Sequence, residues 1–282
     1  MLTPMMRMPE VLVIGAMKCG TTSLFHYLSR HPEIDMARVK ELNFFVEEGN
    51  WHKGRKWYGG FFKGEGGVRV EVSPWYTMYP FYKGVPQRIS QTIEKPRFIY
   101  LMGDPIKRLV SDYLQLRGLG IVHQPIEKVL EHPPYAHLID RSRYWLQLQQ
   151  YLKYYALDDF LLVRQEDLAQ HRTQTLARIF QFLGVDPDFQ HPDWNQLHNQ
   201  SSRKRALTPA GQKLQPLLEA PLSLLPSHYR IRPRNWLQFP FSRPLDRPEL
   251  SRELMDFCRE KLTPDLKILN RETGFSISSW GF

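Results

Sequence analysis

The sequence predicts an α/β fold, a single domain with a central parallel sheet flanked by helices. Three observations predict it. Four short runs are continuously apolar rather than alternating: 11–14 (VLVI), 68–72 (VRVEV), 98–102 (FIYLM) and 160–163 (FLLV). Such runs suit strands buried on both faces. Helical periodicity falls between them, and strands alternating with helices build a parallel sheet. The first run passes through a glycine-bearing loop directly into a helix, the arrangement by which such sheets offer a helix N-terminus to an anion.

The elements follow in order. After the strand at 11–14 comes a helix at 21–30. The strand at 68–72 is the weakest of the four, because it carries charge at Arg69 and Glu71. After the strand at 98–102, Asp104 is placed as an N-cap and Pro105 as the first residue of a helix over 105–117. Leu109, Val110, Tyr113 and Leu114 recur there at helical spacing. A helix over 142–155 is rich in Tyr, Leu and Gln. Another over 166–183 carries Leu168, Leu176, Ile179, Phe180 and Leu183, then stops at Gly184 with Pro187 beyond. Residues 186–248 are rich in Pro, Arg, Ser and Leu with little periodicity. They read as a long surface excursion with short helical pieces, serving as a lid, a binding loop or a flexible decoration. A last helix covers about 249–271. No repeat interrupts the order, so residues 1–282 are assigned to one domain, with the core elements at about 10–185.

Composition narrows the function classes. With 282 residues and 42% apolar content, the chain can bury a sizeable core, which excludes global disorder. A formal net charge of +9 favours an anionic ligand such as a nucleotide, a sulfated or acidic glycan, a nucleic acid or a membrane surface. A generally basic protein is the alternative. No motif with base-reading or base-stacking logic is present, so no nucleic-acid partner is expected. Cys19 and Cys258 are too few for a disulfide scaffold or a zinc site made of cysteines. No apolar run approaches the roughly 18 residues that cross a bilayer. The start, MLTPMMRMPE, lacks the apolar centre of a secretory signal. The expected location is therefore the cytoplasm.

The loop after the first strand carries the chemistry. Gly15 and Gly20 hold the spacing of G-x-x-x-x-G-K-[ST], yet Thr21 stands where the lysine belongs. The nearest lysine is Lys18, inside the loop. The glycines let backbone N–H groups approach an anion, Thr21 and Thr22 offer hydroxyls, and Lys18 offers a mobile charge. A tight strand-to-helix turn without a ligand is the alternative. In an ATP site the displaced lysine reaches the β- and γ-phosphates. Without it, a triphosphate is poorly served, whereas one phosphate with one further anionic group fits. That describes a 5′-phosphosulfate.

The segment GAMKCGTTSLFHYLSRHPEI resembles the 5′-phosphosulfate loop of the sulfotransferases that use 3′-phosphoadenosine 5′-phosphosulfate (PAPS). HPEI followed by KELNFF resembles the carbohydrate, heparan-sulfate-type branch and its bacterial relatives. VEVSPWY at 70–76, FIYLMGDPIKRLVSDY at 98–113, LLVRQEDL at 161–168, FLGV at 182–185 and HNQSSRKR at 198–205 follow in the family's order. The resemblance implies a P-loop-kinase-related sulfotransferase fold and a PAPS-dependent sulfotransferase. It implies PAPS as donor, adenosine 3′,5′-bisphosphate as product, no required metal, and an acceptor hydroxyl or amine, with a glycan as one candidate. The two rivals are a catalytically impaired sulfotransferase-like binding protein and a small-molecule P-loop kinase.

The resemblance also assigns residues. Ala16, Met17, Lys18, Cys19, Gly20, Thr21, Thr22 and Ser23 would form the donor cradle, with Lys18 neutralising the leaving phosphate. Glu41, within VKELNFF, matches the catalytic glutamate of the carbohydrate branch. A general base helps because an acceptor hydroxyl attacks better as it loses its proton, and burial against Phe44 and Phe45 would raise its pKa. Aryl and steroid sulfotransferases carry a histidine after the second strand, where this chain has Ser73-Pro74-Trp75-Tyr76. None of the ten histidines is assigned a catalytic role. Trp75 and Tyr76 are read as core, or as lining for the acceptor cleft. The heparan-sulfate-type enzymes often have a lysine at the position of Val72. Ser111 matches the serine that binds the 3′-phosphate. The arginine that partners it in the family is replaced here by Gly103. Lys107 and Arg108, or the Arg203-Lys204-Arg205 cluster, are the candidates to supply the missing cation. Asp104 is placed like a kinase magnesium ligand but reads as a helix N-cap.

Overall fold

Val11–Gly15 forms β1, and each of its five residues is buried. Its position in the sheet explains why. The computed structural model describes residues 7–62, 66–131, 137–195, 205–208 and 239–282, with isolated positions 211, 214, 217 and 237. In chain order, β1 is followed by α1 (Thr21–Leu28), β2 (Ile34–Met36), α2 (Gly54–Gly59), β3 (Val68–Val72), α3 (Val85–Ser90) and β4 (Arg97–Met102). Next come α4 (Pro105–Gly118), α5 (Ile126–Glu131), α6 (His137–Asp140), α7 (Tyr144–Tyr151), β5 (Phe160–Arg164), α8 (Gln165–Gln170) and α9 (Arg172–Leu183). A two-stranded ribbon, β6 (Arg205–Leu207) with β7 (Ser242–Pro244), precedes the long α10 (Arg252–Thr273).

The sheet runs β2-β3-β1-β4-β5, and every pairing in it is parallel. β1 is central, with β3 on one side and β4 on the other. All four expected strands form, and the chain folds as the α/β domain the alternation predicts. β2 was not expected. Its three residues, Ile34, Asp35 and Met36, contain no apolar run. The strand exists because β3 supplies a partner, in the register Ile34↔Val68.

Several helices differ from expectation. The helix expected over 166–183 is two helices, broken at His171 (φ −123°, ψ 47°). No Gly or Pro lies in that stretch to announce the break. The helix expected over 142–155 is confined to Tyr144–Tyr151. Its start is fixed from a distant element: the carboxylate of Asp265, on α10, accepts the amides of Trp145 and Leu146 at 2.9 Å each. Burial pushes the Asp265 carboxyl up to about 6, against the pull of those two amides. Within 186–248, the described residues include the β6–β7 ribbon, paired Arg205↔Pro244 and Leu207↔Ser242. Short 3-10 turns at Pro192–Asn195 and Phe239–Phe241 are the helical pieces that were expected.

Candidate active site

The loop leaving β1 is shaped by close approach. A Cβ on Gly15 would lie 2.0 Å from Thr77 Oγ1, which donates to the Ile14 carbonyl at 3.1 Å. A side chain at this position would displace that contact. Cys19 N–H closes the turn on the Ala16 carbonyl at 3.1 Å. Gly20 then stands at the N-cap of α1 with φ 88°, a conformation glycine adopts without strain.

Among the described residues no side chain caps α1, and no acidic residue occupies its first turn. The amides of Thr21, Thr22 and Ser23 have no acceptor within the helix, and the helix dipole adds partial positive charge there. The helix after β4 is closed instead: the Asp104 carboxylate accepts the amides of Ile106 and Lys107 at 3.0 Å each. Asp104 is therefore the N-cap read from the sequence. Of the two helices that follow central strands, α1 is the one that offers its end to an anion.

Lys18 stands at the mouth of this cradle with φ 75°. Its ammonium donates to Gln115 Oε1 at 2.7 Å. Gln115 lies four residues after Ser111 on α4, so the two share a helix face. The structure thus brings Lys18 to the face that carries Ser111. The Cys19 thiol turns inward instead. It is fully buried, 3.6 Å from the Tyr144 hydroxyl, and burial pushes it up to about 11, so it stays neutral. Ala16 is likewise walled in. Those two residues shape the loop, whereas Met17, Lys18, Gly20 and Thr22 are partly accessible.

Glu41 lies on the segment between β2 and α2. Its amide donates to the Val72 carbonyl at 2.9 Å, which ties it to the carboxyl end of β3. β3 neighbours β1, so Glu41 is tied to the carboxyl end of the strand beside the one that leads into the Lys18 loop. The expected burial of Glu41 is corrected. Its side chain is 39% exposed and ion-paired with Lys40. Phe44 and Phe45 turn the other way, into a buried aromatic cluster with Trp51 and Tyr58. Every residue from Leu42 to Val46 is buried, so an accessible Glu41 is followed directly by core. The buried carboxylate is Glu71, on β3, which the sequence reading did not place in the site. A carboxylate within a predicted strand was its signal.

The room beside Gly103 is filled. A Cβ on Gly103 would lie 2.4 Å from Gln165 Oε1 and 3.2 Å from Gln165 Cβ. Gln165 Cγ also lies 3.7 Å from where a Cβ on Gly20 would stand. Gln165, the first residue of α8, thus sits between the cradle and the end of β4. Neither neighbouring cation takes the place of the family arginine. Lys107 is exposed and paired with Asp104 at 3.3 Å. Arg108, 2% exposed, is fixed inside the fold. Arg203 and Lys204 lie outside the described residues. Arg205 makes its polar contacts within the ribbon: it donates to Ser242 Oγ at 2.8 Å and lies over the Phe239 ring. Trp75 packs against Tyr82, and Tyr76 is buried.

A steric prediction follows from Gln165. Gly103→Arg alone should lose about 1–3 kcal/mol in urea unfolding, as overpacked sites do. Adding Gln165→Ala should recover most of that loss. Additive effects of the two changes would show that Gln165 does not fill this space.

Residues 8–208 match the model of the sulfotransferase domain family. Curated relatives include mouse heparan sulfate glucosamine 3-O-sulfotransferase 3A1, 29% identical over 188 residues, with 64% of this chain and 46% of that protein covered. Another is mouse bifunctional heparan sulfate N-deacetylase/N-sulfotransferase 4, 24% identical over 251 residues, with 79% of this chain and 29% of that protein covered. The chain thus spans about half the length of the first and under a third of the second. Among solved structures, a sulfotransferase from Alicyclobacillus acidocaldarius superposes with a TM-score of 0.69, at 20% identity, over 98% of this chain and all of that one. That likeness shows a shared fold.

Proposed function

The chain belongs to the sulfotransferase domain family, and from that membership we propose that it transfers a sulfuryl group from PAPS to an acceptor hydroxyl or amine. A carbohydrate is the acceptor class we favour. One observation carries the reading: an uncapped helix N-terminus with Lys18 at its mouth and an accessible Glu41 at the end of the adjacent strand. The named relatives are an O-sulfotransferase and an N-sulfotransferase of heparan sulfate. A net charge of +9 suits an anionic glycan.

In this reading the α1 amides and the Thr22 hydroxyl hold the phosphosulfate. Ser111, with Arg203 and Lys204 as the candidate cations, serves the 3′-phosphate. Lys18 exchanges Gln115 for the leaving phosphate, on which charge grows as the S–O bond breaks. Glu41, oriented by Lys40, takes the proton from the acceptor as it attacks sulfur. Positioning and charge stabilisation supply most of the rate. The reaction is assigned no metal. Val72 stands where the heparan-type enzymes often carry lysine, which argues against assuming the same sugar position. We place the protein in the cytoplasm, a setting that suits the free thiols of Cys19 and Cys258. The second reading, a binding protein without activity, is favoured by Gly103 and by the uncharged Gln165 beside it.

Sulfur-labelled PAPS with a panel of glycan, alcohol and amine acceptors tests the proposal. Labelled product is expected. Glu41→Gln should lower kcat by about 100-fold or more, as loss of a general base does, while adenosine 3′,5′-bisphosphate binds as before. Neither transfer nor bisphosphate binding in the wild type would sink the proposal. Binding without transfer to any acceptor would select the second reading.

A further inference from the structure

Glu71, on β3, is fully buried. Three hydroxyls donate to its carboxylate. Tyr58 reaches Oε2, Ser73 reaches Oε1 at 2.5 Å, and Tyr76 reaches both oxygens at 2.9 and 3.1 Å. Two of those hydroxyls face a second partner. Ser73 Oγ accepts the Asn43 amide at 3.0 Å, and the Tyr76 oxygen accepts the Phe45 amide at 3.4 Å. The Glu41 amide binds the Val72 carbonyl on the same line. Alternate amides of the segment 41–45 are thus latched onto residues 72–76, like a strand with two of its rungs made by side chains.

The carboxylate sets the polarity of those rungs. A hydroxyl has one hydrogen. With the Ser73 and Tyr76 hydrogens drawn to Glu71, their lone pairs face the amides of Asn43 and Phe45. The segment needs such a hold, because Glu41 (φ 64°) and Asn43 (φ 47°) are both left-handed. Asparagine tolerates that conformation, but a glutamate keeps it only where its surroundings enforce it. We propose that Glu71 is the positioning residue of the catalytic base: as a carboxylate it orients Ser73 and Tyr76 to latch residues 41–45, and so presents Glu41 to the acceptor. The inference rests on the reading of Glu41 as the base.

Burial pushes the Glu71 carboxyl up to about 7, against its three hydroxyl partners. The groups that face it are Tyr58 from α2, Tyr76 from the turn after β3 and Tyr151 from α7. These phenols are raised by burial and stay neutral. Arg69, two residues back on the same strand, is paired with Glu10. Arg88 holds the Phe45 carbonyl at 2.7 Å and Glu47 at 3.3 Å. Glu71 itself is thus poised to titrate near neutrality. Its proton would be a fourth hydroxyl hydrogen among three, and one hydroxyl would have to turn away. The latch is therefore complete above about pH 7 and weakens as pH falls through that value.

Two independent readouts test this, amide hydrogen exchange at Asn43 and Phe45 and transfer kinetics across neutral pH. In Glu71→Gln, protection of both amides should fall about tenfold, the equivalent of one hydrogen bond. Its kcat should fall roughly 10–100-fold, the usual effect of a misplaced catalytic group. The pH limb near 7 should vanish, with KM for PAPS unchanged. Tyr58→Phe touches Glu71 but none of the latched amides. It removes a donor that favours the ionised form, so the midpoint in both readouts should move to higher pH in a folded protein. That variant decides the matter if Glu71→Gln does not fold. Unchanged exchange and an unchanged pH limb would overturn the proposal. Exchange that depends on Glu71 in a chain without transfer would keep the latch and remove the sulfuryl-transfer reading.

Discussion

Lys18→Ala is expected to lower kcat by roughly 100–1,000-fold, equivalent to about 3–4 kcal/mol of transition-state stabilisation. Affinity for adenosine 3′,5′-bisphosphate should change far less. In the proposed mechanism the ground-state phosphate is shared with the amides at the end of α1, whereas the charge assigned to Lys18 develops only as the S–O bond breaks. Alanine is a clean probe for a second reason. Lys18 sits at φ 75°, and alanine there carries the same backbone strain as lysine. Glycine does not. Lys18→Gly should therefore be as inactive as Lys18→Ala yet more stable to heat, by an amount on the order of 1 kcal/mol. An inactive but stabilised variant would mark Lys18 as strain retained for function. If Lys18→Ala kept kcat within about threefold of wild type, the charge role would be wrong. If glycine destabilised the fold, the strain argument would be wrong.

The fold was legible where burial is two-sided. VLVI, FIYLM and FLLV have no partner-dependent feature, since an apolar run inside an α/β chain has one stable place to go. VRVEV was legible as a strand even though its charges were not explained. Arg69 leaves the sheet to pair with Glu10, and Glu71 stays inside. β2 was not legible, because a three-residue strand is made by its neighbour rather than by its own residues. The start of α7 was equally hidden. It depends on Asp265, 120 residues away along the chain, reaching the Trp145 amide. Local spacing carries no information about such a cap.

At the site, what could be read was the residues whose spacing is itself the mechanism. Gly15, Lys18 and Gly20 announce an anion loop because the turn and the helix end follow directly from their order. Asp104 followed by Pro105 announces a cap, and the cap is present. What could not be read was partnership across the sheet. Lys18 leans on Gln115, Gly103 is crowded by Gln165, and residues 41–45 hang on the hydroxyls of Ser73 and Tyr76. Glu41 was expected to be buried against Phe44 and Phe45, and its environment is the reverse. Its aromatic neighbours in sequence point into the core, so adjacency along the chain gave the wrong surroundings.

Arg108→Ala is expected to cost about 3–5 kcal/mol of stability, the range for breaking a buried ion pair from one side. Sequence spacing made Arg108 a substitute cation for the 3′-phosphate, one turn before Ser111. The structure gives the guanidinium other work. Nε donates to Ser142 Oγ at 2.6 Å, Nη2 to the Leu138 carbonyl at 2.7 Å, and Nη1 to Asp112 Oδ2 at 3.2 Å. These contacts fasten α4 to α6 and to the approach to α7. Asp112, itself fully buried, also takes Arg141 at 3.0 Å, so the aspartate keeps one partner when Arg108 is removed. The loss then comes from a cavity and from the abandoned Leu138 carbonyl more than from an orphaned charge. Arg108→Lys should rescue little, since one ammonium cannot reproduce a three-way planar fork. Arg108→Met should lose about half as much as alanine, because it refills most of the cavity that alanine leaves. Urea unfolding ranks the three variants. The decisive measurement is bisphosphate affinity in Arg108→Met under conditions where it is fully folded. Unchanged affinity fits a guanidinium that holds helices together. A loss of tenfold or more in a stable protein would mean that Arg108 reaches the ligand after all, and that α4 supplies the charge of the missing family arginine.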